Sequence, residues 1–87
     1  MQDLNELRAQ IDALDDQILY LLDKRMSYVK EIGKIKQSNA QEIYDHKREE
    51  YILDRLNNVK YKFLNSNMIK SIYREIFFIS KQIQNLD

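Results

Sequence analysis

An 87-residue chain supports one small domain, and at that size only about 60% of the unfolded surface is buried on folding, so a lone monomer is marginal and a partner subunit would help. The absence of cysteine excludes a disulfide framework and a thiolate metal site, and fourteen Lys and Arg balanced by fourteen Asp and Glu exclude a general field for nucleic acid or an anionic membrane, so any basic site must be local. The longest apolar runs, 18–22 and 76–79, fall far short of the roughly 20 residues of a membrane span, and Met1-Gln2-Asp3 lacks the basic start of a signal peptide, which leads to the expectation of a soluble cytoplasmic protein.

With no proline, one glycine and a preponderance of Leu, Ile, Lys, Glu, Gln and Arg, the chain favours helix almost throughout. The first helix is predicted to start at Asp3, which can cap the following turn while Glu6 reaches back in a variant of the capping box. Leu4, Leu7, Ile11, Leu14, Ile18 and Leu21 then follow in steps of three and four, a seam of coiled-coil type that continues through Arg25, Tyr28, Ile32 and Ile35 to about Lys36. Gly33 lies inside this pattern at some cost in helix stability. Gln37-Ser38-Asn39 weakens the pattern, and the chain stays polar up to Ile43.

A second, shorter helix is predicted from near Asp45 to Tyr61, with Ile52, Leu53, Leu56 and Val59 inward. Asn65, Ser66 or Asn67 can cap a third, in which Ile69, Ile72, Ile76, Ile79 and Ile83 recur at helical spacing. The predicted fold class is therefore all-α, a single domain over 1–87 made of a three-helix subunit. A first helix of about 33 residues spans roughly 50 Å, whereas a compact chain of this length has a diameter of about 30 Å. The helix overhangs its own domain, and pairing of long helices in an intertwined homodimer is the simplest cover for its seam.

Several polar residues occupy positions that this architecture reserves for apolar ones. Arg25 falls on the seam, where a buried guanidinium needs an anionic partner from protein or ligand. Lys36 follows about three turns later on nearly the same face. Asp45, Arg48 and Glu49 lie at i, i+3 and i+4 of the second helix, and Ser80 and Gln84 are i, i+4 neighbours beside Ile76 and Ile83 on the third. Arg8 stands about 25 Å from Arg25, too far to share a small ligand within one chain but able to reach a partner's site across an antiparallel dimer.

Taken singly, each has a plainer reading. Arg25 and Lys36 can snorkel to water, and Asp45, Arg48 and Glu49 can be a solvated helix start with an ordinary ion pair. His46, the only histidine, has no nucleophile or metal-ligand cluster beside it and reads as an exposed first-turn residue. The six tyrosines read as packing rather than as a base-stacking platform. The conjunction, not any one residue, points to a site.

That conjunction resembles the active-site pattern of the all-helical chorismate mutases, over essentially the whole chain. The resemblance rests on Leu7-Arg8-x-x-Ile11-Asp12-x-Leu14-Asp15, Leu22-x-x-Arg25, Ile32-Gly33-x-x-Lys36, Tyr44-Asp45-x-x-Arg48-Glu49, and Ile72-Tyr73-Arg74-Glu75-Ile76 followed by Ser80-x-x-x-Gln84. It implies a homodimer with paired first helices and the conversion of chorismate to prephenate, an intramolecular rearrangement without cofactor or metal. By the same resemblance Arg25 and the partner's Arg8 clamp the substrate carboxylates, Lys36 and Gln84 donate to the ether oxygen, Glu49 with the segment at Asp45 binds the ring hydroxyl, Arg48 orients these carboxylates, and Ser80 supports a substrate carboxylate.

Two departures are visible. Glu42 and His46 stand where family members often carry proline, and position 84 is glutamine where some relatives use a glutamate that must be protonated, so acid conditions should not be needed. Two alternatives accompany this reading: an isochorismate-pyruvate lyase on the same fold, against which the Asp45-x-x-Arg48-Glu49 and Ser80 set weighs, and a non-catalytic helical dimerisation or regulatory module, which leaves Arg25, Lys36 and Gln84 as coincidences. Fusion to prephenate dehydratase or another shikimate-pathway domain is a further expectation from the resemblance.

Overall fold

The computed structural model describes residues 3–39 and 45–85. Tyr44, Glu42 and the rest of the connection at 40–43 lie outside the described residues. The three predicted helices are present as α1 (Leu4–Ser38), α2 (His46–Asn57) and α3 (Ser66–Gln84), with no strand among the described residues.

Each helix begins at a side chain that can accept a hydrogen bond from an otherwise orphaned amide. The Asp3 carboxylate accepts from the Glu6 amide at 2.8 Å, Asp45 from the Arg48 amide at 3.0 Å, and Asn65 from the Met68 amide at 2.9 Å. The reciprocal half of the predicted capping box, from the Asp3 amide to Glu6, is not made among the described residues; both groups are exposed, so water competes for them.

The second helix ends four residues earlier than its apolar spacing predicts. Asn57 and Asn58 interrupt it, the Asn58 amide closes the last turn on Arg55 and Leu56, and Val59 stands exposed instead of inward. On α3, Ile69, Ile76 and Phe77 are buried, while Ile72 and Ile79 remain exposed on the neighbouring stripe.

α3 lies between the other two helices and contacts both, whereas α1 and α2 have no Cα pair within 8 Å among the described residues. The resulting core is small: Val29 of α1, Ile52 of α2, and Ile69, Ile76 and Phe77 of α3, with Tyr73 edge-on to the Phe77 ring at 5.7 Å. α1 contributes to it only through its C-terminal half. At 35 residues it spans about 52 Å, which accounts for the 57 Å long axis of the subunit and for a radius of gyration of 16.3 Å, well above the ~12 Å of a compact chain this long. Leu4, Leu7, Ile11, Leu14, Ile18 and Leu21 along the overhang are 43–61% exposed.

Candidate active site

Because α1 and α2 stand apart, α3 floors a half-open cleft between them of about 210 Å³. Each helix turns one face to it with the same spacing. α1 presents Arg25, Tyr28, Val29, Ile32 and Lys36; α2 presents Asp45, Arg48, Glu49 and Ile52; α3 presents Phe77, Ser80, Lys81 and Gln84. Steps of three and four keep residues on one side of a helix, so each set is a single stripe and the polar members are held by the apolar ones packed beside them.

Of the eight residues singled out from the sequence, the structure brings seven to this cleft. Arg8 is the exception: it sits on the exposed N-terminal half of α1, on the overhang rather than at the cleft of its own chain.

Arg25 is only partly exposed, and its guanidinium Nη1 donates to the Ser80 hydroxyl at 2.8 Å. The Ser80 hydroxyl has one proton, which it places on the Ile76 carbonyl at 2.7 Å, with the Met26 sulfur 3.7 Å away as the weaker alternative. Ser80 thus serves Arg25 as an acceptor and fixes its direction. No carboxylate pairs with Arg25 among the described residues. Loss of water around the guanidinium lowers its pKa; the nearby Tyr73 opposes that shift, and the positive charge of Arg48 adds to it. The cleft therefore holds a partly desolvated cation whose hydrogen-bond partner among the described residues is a neutral hydroxyl, with further cations at Lys36 and Arg48 on its walls.

The anionic side is α2. Glu49, 22% exposed, is paired with Lys81 across the α2–α3 gap at 3.5 Å. Asp45 is engaged as the helix cap, and the Arg48 guanidinium lies 5.2 Å over the Tyr51 ring. Among the described residues the ion pair of Glu49 comes from Lys81 and not from Arg48. Sequence reasoning missed Lys81, together with the apolar lining residues Tyr28, Val29 and Phe77. The signal was available in the i, i+3, i+4, i+7 arc formed by Phe77, Ser80, Lys81 and Gln84.

Such an arrangement can bind a small molecule carrying more than one negative charge at the α1 side and a hydroxyl at the α2 side. It offers hydrogen-bond donors on a non-reacting frame, and among the described residues no three metal-ligating side chains cluster anywhere. No helix among the described residues is long and apolar enough to cross a membrane.

Comparison with known proteins gives the same direction. The chain is 32% identical over 85 residues to the chorismate mutase of Methanocaldococcus jannaschii, covering 97% of this chain and 86% of that protein. It is 39% identical over 80 residues to the bifunctional chorismate mutase/prephenate dehydratase of Aquifex aeolicus, covering 87% of this chain but only 22% of that longer protein. The crystal structure of chorismate mutase from Helicobacter pylori in complex with prephenate superposes with a TM-score of 0.89 at 42% identity, covering 97% of each chain. The family profile described as chorismate mutase type II matches residues 7–85, nearly the full length, and this chain belongs to that family.

Proposed function

We propose that the cleft binds chorismate and rearranges it to prephenate, and that the working unit is a homodimer in which the partner's Arg8 completes each site. The observation that carries this reading is the Arg25 guanidinium: partly desolvated, aimed by Ser80 and without a carboxylate partner among the described residues, it is costly in the free protein and well used only when a ligand anion arrives.

The reaction breaks the ether C–O bond and forms a C–C bond within one molecule, so neither a nucleophile nor a proton transfer is required. What the protein must supply is the folded, near-attack conformer of a flexible dianion and a stabilising partner for the negative charge that grows on the ether oxygen. Arg25 and the partner's Arg8 hold the two carboxylates. Lys36 and Gln84 both line the cleft, Gln84 seated against Gly33 one turn before Lys36, and donate to the ether oxygen. Glu49, steadied by Lys81, accepts the ring hydroxyl beside the start of α2. The cleft volume of about 210 Å³ lies below the roughly 300–1,000 Å³ of drug-sized sites, in keeping with a compact metabolite and with a wall still to come from a second subunit.

Fusion to a prephenate dehydratase, as the name of the Aquifex relative describes, would place a consumer of the product on the same chain. The mass of the protein isolated from its native cells tests that part of the proposal. The activity itself is tested by following the loss of chorismate absorbance on adding purified protein, with prephenate identified by its acid-catalysed conversion to phenylpyruvate. No loss of chorismate by a folded protein would overturn the reading and send the same preparation to an isochorismate lyase assay.

A further inference from the structure

Gly33 is buried in the second half of α1, one turn before Lys36, at the point where the end of α3 meets α1. A β-carbon built there would lie 3.2 Å from the Gln84 Cα and 3.3 Å from both its Cβ and its Cγ. Those separations are shorter than ordinary van der Waals contact, and all three nearest atoms belong to one residue, Gln84. Alanine is a better helix former than glycine, so nothing in α1 itself calls for glycine at this position. What the missing side chain provides is the close seat of Gln84.

We infer that Gly33 is a positioning residue for the rearrangement: its bare backbone sets how near Gln84 lies to α1, and through that the geometry of the Lys36 and Gln84 donor pair. This inference rests on the reading given under Proposed function. Position rather than stability is what Gly33 sets, because of where Gln84 stands. It is the last residue of α3, followed by the Asn85 cap, so the helix end can yield by a few tenths of an ångström without disturbing Ile69, Ile76 or Phe77 in the core. A side-chain rotation of Gln84 relieves the Cγ contact but leaves those of Cα and Cβ, so the backbone of the last turn must shift as well. Either movement displaces the Gln84 amide relative to Lys36. A donor aimed at developing charge loses its advantage quickly with misplacement, since an error of about 1 Å in a reacting geometry can cost roughly 100-fold.

The test is a double-mutant cycle of Gly33→Ala and Gln84→Ala, read by steady-state kinetics, thermal unfolding and the side-chain amide resonance of Gln84 in the NMR spectrum. Gly33→Ala is expected to lower kcat by about 10-fold with KM changed less than ~3-fold, to shift the Gln84 amide resonance, and to leave Tm unchanged or higher. In the Gln84→Ala background the same substitution is expected to cost less than ~3-fold, because the group it misplaces is already gone. Undiminished kcat in Gly33→Ala, equal losses in both backgrounds, or a variant that fails to fold would each overturn the inference, the last by making the close approach a requirement of the fold. Wild-type turnover is measured first: its absence overturns the functional reading and this inference with it, whereas an active wild type with an indifferent Gly33→Ala overturns the inference alone.

Discussion

Arg25 is held in the free protein at a cost. Its guanidinium is partly desolvated, faces the like charge of Arg48, and has a hydroxyl rather than a carboxylate as its acceptor. Replacing it by methionine, of similar length and without charge, removes that cost and leaves Ser80 still bonded to the Ile76 carbonyl. Arg25→Met is therefore expected to retain wild-type stability within about 1 kcal/mol, or to gain, because a partly desolvated charge without a carboxylate partner contributes little to folding. Turnover should fall by about 100-fold or more as a substrate carboxylate loses its partner. Chemical denaturation beside steady-state kinetics checks both halves, and a variant that is destabilised in step with its activity would assign Arg25 to the fold instead. Lys36 and Ser80 differ in kind. In the proposed mechanism Lys36 addresses charge that exists only in the transition state, so Lys36→Ala is expected to lose at least ~100-fold in turnover while remaining helical. Ser80 acts through Arg25, so Ser80→Ala should lose less than about 10-fold, appearing mainly in KM. Equal kcat losses in the two variants would contradict that division. Ser80, uncharged, stood out only as part of the conjunction and the family pattern, whereas Arg25 and Lys36 were legible in the sequence because a charge on an apolar helical stripe is conspicuous. Lys81 was not, since a lysine at the edge of a stripe reads as solvated until α2 brings Glu49 opposite it.

At the scale of the element, α2 shows what periodicity does and does not decide. Ile52 and Leu56 continue to Val59 at steps of four and three, so spacing alone extends the helix; the Asn57-Asn58 pair stops it by closing the last turn locally. The start is better specified, because Asp45 is an acceptor at the residue before the first helical turn, and the same logic locates α1 at Asp3 and α3 at Asn65. Asp45 lines the cleft while its Oδ1 accepts from the Arg48 amide, and the contribution we propose for it is the placement of the first turn that carries Arg48 and Glu49. Asp45→Asn preserves the cap and is expected to keep stability and to hold turnover within ~3-fold, whereas Asp45→Ala should cost about 1 kcal/mol and loosen that turn. Thermal melts and kinetics on the pair separate the two roles: a large loss of turnover in Asp45→Asn at unchanged Tm would mean that the charge itself meets the substrate.

For the whole molecule, the overhang of α1 governs. Burying six leucine and isoleucine side chains that are about half exposed would return roughly half of the 1.5–3 kcal/mol that full burial of each provides, on both chains of a dimer, against a core of five buried apolar side chains among the described residues of the single subunit. The overhang itself was legible from helix length against domain size; how two such helices cross was not, because a heptad-like seam fixes which face is covered and leaves direction open. Arg8 supplies the test of direction and of shared sites together. If each site takes Arg25 from one chain and Arg8 from the other, a dimer of one Arg8→Ala chain with one Arg25→Ala chain contains one site with both arginines intact and one with neither. Each parent homodimer is expected to be nearly inactive, and random mixing of equal amounts should restore about a quarter of the wild-type sites. An arrangement in which Arg8 served its own chain would give no intact site in any dimer, so refolding the two variants together under conditions where tagged heterodimers are isolated separates the cases. Turnover in the isolated heterodimer near half that of wild type is the expected result, and a heterodimer as inactive as its parents would remove Arg8 from the partner's site.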